Sequence, residues 1–367
     1  MFNSEFKNKK ILITGHTGFK GCWLTIWMNL LGAKVVGISD KKSVSEPSMF
    51  VKTKIFKKIK NYYFDIKNYK KLSEIIHFEK PDFIFHLAAQ SLVLKSYKYP
   101  IETLRTNIWG TLNLLECLKH YKNKLNVIFI TSDKCYKNFE TDKGYSESDH
   151  LGGDDLYSAS KASAEIIINA YFKSFLKNNN KISIATVRAG NVIGGGDWSE
   201  NRLIPDIMSN YFNKKSIFIR NPYATRPWQH VLEPISGYIH LANSLNKNRK
   251  LLNGESFNFG PNTTNIINVY KLLGIIKSHT QNLKFKILKN SKFHENTLLQ
   301  LDSSKSKKLI KWKSAMSIKE SISFTYNWYE NYFINKNNNL KFTEEQIFKY
   351  YQICRLKKIA WSNDKKN

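Results

Sequence analysis

Ile11-Leu12-Ile13-Thr14-Gly15-His16-Thr17-Gly18-Phe19-Lys20-Gly21 is the stretch whose reading decides the fold. Its apolar run predicts a buried strand. The residues after it, Phe19–Leu31, predict an amphipathic helix, so the glycines Gly15, Gly18 and Gly21 fall on the turn between the two. Glycines at that spacing permit a tight bend, close approach of the backbone to a pyrophosphate, and close packing of helix on strand, while the helix N-terminus faces negative charge. An ordinary glycine-rich turn would carry the same three residues. The strand near the N-terminus and the amphipathic helix favour a dinucleotide site built from Gly15, Thr17, Gly18, Phe19 and Gly21.

About 20 residues further on, Asp40 closes a second apolar run, where a carboxylate accepts from the adenosine ribose hydroxyls and selects NAD. Lys41 and Lys42 follow it, and either would instead neutralise a 2′-phosphate. Asp65, after Asn61-Tyr62-Tyr63-Phe64, is read either as an acceptor for the adenine amino group or as a helix N-cap.

Outward from this unit, short β-branched runs alternate with longer helical patterns over the first ~190 residues, the signature of a parallel sheet with helices on both faces. Strands are predicted at Lys10–Thr14, Lys34–Ser39, Pro81–Leu87, Asn126–Thr131 and Ile182–Val187, and helices at Phe19–Leu31, Ile101–Tyr121 and Tyr157–Leu176. After Arg188 the chain turns to Gly-, Pro-, Trp- and Asn-rich connections, including Gly194-Gly195-Gly196. The fold class is therefore α/β, a Rossmann-type doubly wound parallel sheet carrying a smaller substrate-binding lobe. The expected division is 1–188 for the NAD-binding domain with a return segment near 230–258, 189–229 and 259–340 for the lobe, and 341–367 for a C-terminal tail.

A chain of 367 residues with 42% hydrophobic and 24% charged residues is neither a disulfide scaffold nor disordered. Cys22, Cys117, Cys135 and Cys354 form no C-x-x-C pair, which removes a zinc ribbon and a dithiol motif and leaves four reduced thiols. The longest apolar stretch, 22–38, is broken by Thr25, Asn29 and Lys34, and only three apolar residues follow Lys7, Lys9 and Lys10. The expectation is a cytoplasmic protein with neither membrane span nor signal peptide. A net charge of +29 invites a nucleic-acid reading, but only 7 of the 58 basic residues are Arg, and the Lys are spread through Asn-rich loops. A nucleic-acid footprint would be clustered and interleaved with Arg and aromatics, so the charge is read as a solvated surface.

Tyr157-Ser158-Ala159-Ser160-Lys161 places a phenol and an ammonium four residues apart, on one face of a helix. A phenol with an ordinary pKa near ~10 is a poor base, and an adjacent ammonium together with an oxidised nicotinamide would stabilise its phenolate. Downstream of Thr131-Ser132 in a dinucleotide fold, the pair reads as a base for a sugar hydroxyl rather than a surface i,i+4 contact.

The glycine motif, His86-Leu87-Ala88-Ala89-Gln90, Asn107-Ile108-Trp109-Gly110-Thr111 and Y-x-x-x-K together resemble the extended short-chain dehydrogenase/reductase family of nucleotide-sugar enzymes. Longer strings, 131–136, 151–161, 188–198 and 226–234, resemble the branch of that family that dehydrates CDP-glucose, as does Gln346-Ile347-Phe348 near the C-terminus. The resemblance implies oxidation of sugar C4 with Tyr157 taking the O4 proton, loss of water across C5 and C6, and return of the hydride to C6. It also implies NAD as cofactor, with Leu87, Ala88 and Ala89 joining the glycine loop, Tyr157 and Lys161 in holding it.

Ser132, Asp133 and Lys134 resemble the acid-base triplet of the dehydratases, with Lys134 where the dTDP-sugar branch usually has Glu. A lysine base must be partly neutral, which requires burial or cationic neighbours. Arg226 is the choice for the substrate pyrophosphate because a guanidinium grips phosphate oxygens bidentately. Gln90, Asn191, Arg202 and Arg220 join it as substrate residues, and Trp198 and Trp228 either wall the base or fill the lobe's core. A homodimer through the helices 101–121 and 157–176 is implied as well. The alternatives are an NAD-dependent nucleotide-sugar 4-epimerase, a dehydratase of another nucleotide sugar, or a non-catalytic Rossmann protein that senses NAD or binds RNA.

Overall fold

The computed structural model describes residues 1–367 except 44, 142, 220, 282, 289–298 and 364–367. Seven parallel strands form its central sheet: β1 (Lys10–Thr14), β2 (Lys34–Ser39), β3 (Lys60–Tyr63), β4 (Phe83–His86), β5 (Leu125–Ile130), β6 (Ile182–Arg188) and β7 (Ser256–Asn258). Their order is β7-β6-β5-β4-β1-β2-β3. Every residue of β4, β5 and β6 is buried, which is why those stretches read as continuous apolar runs. The chain leaves β1 for β2 on one side and later enters β4 on the other, so a crevice opens at the carboxyl ends of β1 and β4. There Thr14 lies opposite both Ile38 and His86.

Helices α1 (Phe19–Leu30), α2 (Tyr69–Glu79), α3 (Gly110–Lys119) and α4 (Leu156–Tyr171) connect these strands. Two long helices expected from the sequence are shorter than their patterns. The stretch 101–121 is a short helix from Pro100 to Leu104, one π turn at Arg105–Trp109, and α3. In that π turn Asn107 accepts from the Gln90 backbone N–H (2.8 Å) and donates to the Gln90 carbonyl (3.0 Å) and Ser160 Oγ (2.8 Å). The widened turn therefore ties this helix to the β4 exit and to the middle of α4. Residues 172–176 form a second π turn after α4. The sequence reading passes over β3 and α2. Lys60-Asn61-Tyr62-Tyr63 is a half-exposed strand at the sheet's edge and lacks the apolar run that marks the central strands.

The return segment supplies α5 (Leu232–Lys247) and β7, which pairs with β6. Among the described residues, the chain on either side of β7 builds a smaller region from three two-stranded ribbons, 192–193 with 229–230, 225–227 with 266–268, and 217–219 with 285–287. One apolar core runs from Trp23 and Trp27 of α1 through Tyr238 of α5 to Trp312, Trp328 and Tyr350, so this region closes on one face of the sheet and shares its core. The helix Asn339–Leu356, α6, reaches back to the N-terminal part, where Trp27 meets Tyr350 edge-on (5.9 Å) and Phe2 stacks on Trp361 (4.7 Å). Trp198 lies among Trp328, Tyr329, Tyr332 and Phe333, and Trp228 Nε1 donates to the Ile267 carbonyl (3.2 Å), so both tryptophans fill the core. All four cysteines are buried and free. Among the described residues no helix is long and apolar enough to cross a membrane.

Candidate active site

The glycine loop closes over the end of β1. Gly15 has a left-handed backbone (φ +75), and a Cβ on it would lie 2.7 Å from the Ala88 nitrogen. One on Gly21 would lie 2.0 Å from the Gly15 carbonyl oxygen, so the loop folds on itself in a way that only glycine permits. Gly18 caps α1, whose first turn, starting at Phe19, carries backbone N–H groups without intrahelical acceptors. A negatively charged diphosphate suits that end of a helix.

The rest of the loop is pinned across β1, β2 and β3. His16 Nδ1 is 3.0 Å from Ser39 Oγ and Nε2 is 3.1 Å from Asn61 Oδ1, and burial lowers its pKa. Thr17 donates to the Lys41 carbonyl (3.1 Å). Leu87 N–H donates to the Thr14 carbonyl and Ala88 N–H to Thr14 Oγ1, which places Leu87, Ala88 and Ala89 along the crevice beside Gly15.

Asp40 stands exposed at the end of β2. Lys42 lies over the Phe56 ring, 3.9 Å from its centroid. Asp65 is not the cap of α2. Asn68 holds that place, accepting from Lys71 N–H (3.1 Å), while Asp65 accepts from Lys67 N–H (2.9 Å) and pairs with the Lys67 ammonium (3.2 Å).

The carboxyl end of β5 supplies the second set. Ser132 opens a single turn at Asp133–Cys135, its Oγ accepting from Lys134 N–H (3.3 Å) and donating to Asp133 Oδ1 (2.9 Å). Asp133 is buried and its carboxylate rests on Gly190, where a Cβ would come 1.7 Å from Oδ2. Lys134 is half-buried. Helix α4, capped by Asp155, presents Tyr157 and, one turn on, Lys161. Burial pushes the Tyr157 phenol up to about 12 against its hydrogen bond with Ser132, and Asp133 raises it further while Arg202 lowers it. Burial also pushes Lys161 down to about 8.

Two charged residues missed by the sequence reading belong to this cluster. Lys20, on the first turn of α1, is pushed down to about 8 by burial, Arg202 and Lys161, and held up by Asp133 and Asp197. Asp197 holds Arg202 in an ion pair (3.0 Å) and takes a hydrogen bond on its main-chain oxygen from Tyr329. Lys20 had a signal in the sequence, since a charged side chain between the second and third glycines of such a loop must face solvent or the ligand crevice. Asp197 had none before Arg202 was placed beside it.

Ser132, Asp133, Tyr157, Lys161, Lys20 and Arg202 thus form one cluster whose members bear on one another's charge. Other expected substrate residues stand differently. The Gln90 side chain is engaged at the β4 exit, donating to the Leu92 carbonyl (3.0 Å) and Thr103 Oγ1 (2.9 Å) and accepting from Leu92 N–H (2.6 Å). Asn191 takes a left-handed backbone (φ +48) after β6, and its carbonyl accepts from Gln229 N–H (3.3 Å). Arg226 is half-buried on the strand 225–227 and donates to the Thr225 carbonyl (3.0 Å). Arg220 lies outside the described residues.

The chain is similar to known proteins over most of its length. Residues 12–325 match the GDP-mannose 4,6 dehydratase family. Over 337 residues the chain is 40% identical to the CDP-glucose 4,6-dehydratase of Salmonella typhimurium, covering 90% of this chain and 93% of that protein. The chain belongs to the nucleotide-sugar dehydratases of the extended short-chain dehydrogenase/reductase family. Solved structures share the family fold. An epimerase from Methanothermobacter thermautotrophicus superposes with a TM-score of 0.78 at 22% identity, covering 90% of this chain and 95% of that one. The dTDP-glucose 4,6-dehydratase of Bacillus anthracis, solved in complex with NAD, superposes with a TM-score of 0.73 at 20% identity over 88% and 97% of the two chains.

Proposed function

We propose that this chain is a CDP-glucose 4,6-dehydratase that forms CDP-4-keto-6-deoxyglucose with NAD as a resident cofactor. The observation that carries the reading is the cluster of Ser132, Asp133, Tyr157 and Lys161, in a chain 40% identical over nearly its whole length to a protein of that activity. The glycine cradle fits a dinucleotide, since Gly15 and Gly21 leave no room for a Cβ and the α1 N-terminus suits a diphosphate. Gly15, Thr17, Gly18, Phe19, Gly21, Leu87, Ala88 and Ala89 would hold its phosphates and rings, Asp40 and Asp65 its adenosine end, and Tyr157 and Lys161 its nicotinamide ribose. NAD, when bound, accepts a hydride from sugar C4 and gives it back at C6.

The protein's own groups move the protons. Tyr157 takes the O4 proton; Arg202 and the hydrogen bond with Ser132 lower its phenol against the burial that raises it, and the Lys161 ammonium one turn along the helix favours the phenolate as well. The resulting ketone acidifies C5. Asp133, held by Ser132, gives a proton to the departing C6 hydroxyl, and Lys134 takes the C5 proton. Arg202, Arg226 and Asn191 bind the substrate diphosphate, with Arg220 beside them in sequence.

Epimerisation at C4 would need only the ketone and its reduction, so the buried Asp133 beside Lys134 favours dehydration. Intact Tyr157 and Lys161 weigh against a sensing or RNA-binding role. Ile101, Trp109, Ile166 and Phe175 are exposed apolar side chains on the two helical stretches 101–119 and 156–176, which supports a homodimer through them. A cytoplasmic location accords with the nucleotide-sugar substrate.

Incubation with CDP-glucose and NAD should yield the ultraviolet absorption of a 4-keto-6-deoxy sugar in base. Recovery of unchanged CDP-glucose, or of its C4 epimer alone, would overturn the reading. For Lys134, replacement by Met should let reduced nicotinamide build up while deuterium at C5 stays in the sugar. Continued exchange with solvent would remove Lys134 as the C5 base.

A further inference from the structure

Behind the catalytic face of α4 lies a buried polar cluster that the proposed reaction does not use. Glu165, one turn beyond Lys161, is gripped by Arg188 of β6 through Nε (2.9 Å) and Nη2 (3.0 Å), and both side chains are almost wholly buried. The same carboxylate accepts from Thr131 Oγ1 (2.5 Å), the residue immediately before Ser132, and lies 3.9 Å from Cys135 Sγ at the other end of the Ser132–Asp133 turn. Arg188 also donates to the Tyr136 hydroxyl (2.5 Å), which donates to Asn258 Oδ1 of β7 (2.8 Å). The cluster therefore grips the turn that carries the acid, the helix that carries the base, and two neighbouring strands.

A buried ion pair is a poor device for stability alone, because desolvation cancels much of its attraction and an apolar pair of similar size often does as well. Its placement suggests another use. The charged or titratable groups that bear on Lys161 are Lys20 on α1, His86 at the end of β4, Cys135 in the turn, and Glu165 on its own helix. Burial keeps His86 neutral, with its pKa down to about 3, and raises the Cys135 thiol well above its ordinary value, so neither carries charge at neutral pH. Lys20 is a cation and opposes protonation of Lys161. Glu165, one turn along the same helix and held by Arg188, is the carboxylate that answers the Lys161 ammonium.

We propose that Glu165, clasped by Arg188, is a positioning residue of this site: it locks the Ser132–Asp133 turn to the catalytic helix and supplies the counter-charge that keeps Lys161 protonated. The catalytic consequence rests on the function proposed above. The charge on Lys161 does not, and it can be read in the protein without substrate.

The test compares wild type, Glu165→Gln, Glu165→Asp and the double variant Glu165→Gln/Arg188→Gln. The double variant leaves no unpaired buried cation, so it keeps the comparison available where the single one fails to fold. Competitive labelling of lysines with acetic anhydride across pH, read by mass spectrometry, measures the Lys161 pKa in the free protein. It should fall by about one unit or more in both Gln variants and recover in Glu165→Asp. With CDP-glucose, the alkaline limb of the nicotinamide-reduction step should move to lower pH by the same amount. A Lys161 pKa unchanged in the folded double variant would overturn the proposal, as would a loss of rate uniform across pH. Loss of all dehydratase activity in the wild type, with the labelling shift intact, would overturn the proposed function and leave the positioning role standing.

Discussion

The two walls of the active-site crevice are built by different means. On the wall formed by β1, β2 and β4, backbone does the work: Gly15 and Gly21 sit where any Cβ would strike a main-chain atom, and Leu87 and Ala88 hang from Thr14 by their N–H groups. On the wall that follows β6, side chains do the holding. Arg202 is set by Asp197, and Glu233 of α5 takes the N–H groups of Ala315 and Met316 and the Tyr350 hydroxyl. A backbone-built wall leaves a mark in the sequence because glycine is irreplaceable at its positions. A side-chain wall leaves almost none, since either partner is ordinary until the fold brings the other to it.

Substitutions can break this contrast, and the largest effect belongs to the chemistry where the walls meet. Tyr157→Phe removes the base for O4 and should lower turnover by ~10²–10⁴-fold with folding intact, measured as steady-state rate beside thermal unfolding. Wild-type turnover would remove Tyr157 from the mechanism. Next comes Gly190→Ala, which tests whether the backbone logic reaches past β6. Its methyl group would meet the Asp133 carboxylate at 1.7 Å, so Asp133 must give up its place against Ser132. A displacement of that order costs about 10²-fold in rate. The loss should fall on elimination, so reduced nicotinamide should accumulate, and an unaltered rate would mean that Asp133 needs no fixed seat.

The legibility of the sequence follows the same division. Lys10–Thr14 and Lys34–Ser39 coincide with β1 and β2, and the other three expected strands agree with β4, β5 and β6 to within a residue or two, because fully buried parallel strands are unbroken apolar runs. The edge strand β3 escaped since half of its surface faces water. Helical periodicity ran straight through 105–109, where Asn107 turns the chain into a π turn by bonding to Gln90 and Ser160, partners distant in sequence. In the site, the glycines, Ser132, Asp133, Tyr157 and Lys161 were legible as local motifs. Asp197, Glu165 and the internal engagement of Gln90 were not, because each is defined by a contact across the fold.

A milder effect is expected from Arg226→Ala, on the side-chain wall. Losing a charge-assisted phosphate contact weakens CDP-glucose binding by ~2 kcal/mol, seen by calorimetry as a Kd roughly 30-fold higher. An unchanged Kd would move the diphosphate to Arg202 or Arg220 and leave Arg226 as part of the 225–227 ribbon.

The smallest effect, and the one that isolates how the second wall is tied to the C-terminal helix, concerns Glu233. Its carboxyl group is fully buried, and burial pushes its pKa from an ordinary 4.5 up to about 7, against the N–H groups of Met316 and Ala315 and the Tyr350 hydroxyl that favour the charged form. The folded protein therefore holds this proton more tightly than the unfolded chain between those two values. Stability from this group must then fall as pH rises from about 4.5 to about 7 and level off above. Glu233→Gln keeps an oxygen for the two N–H groups and an amide N–H for the Tyr350 oxygen, whose own proton can turn to Ser236 Oγ at 3.1 Å. It cannot ionise, so its Tm should match the wild type near pH 5 and exceed it by a few degrees near pH 8. A Tm gap between the two proteins that is the same at both pH values would mean that Glu233 does not titrate in this range, and that the tie between α5 and α6 is set by hydrogen bonds alone.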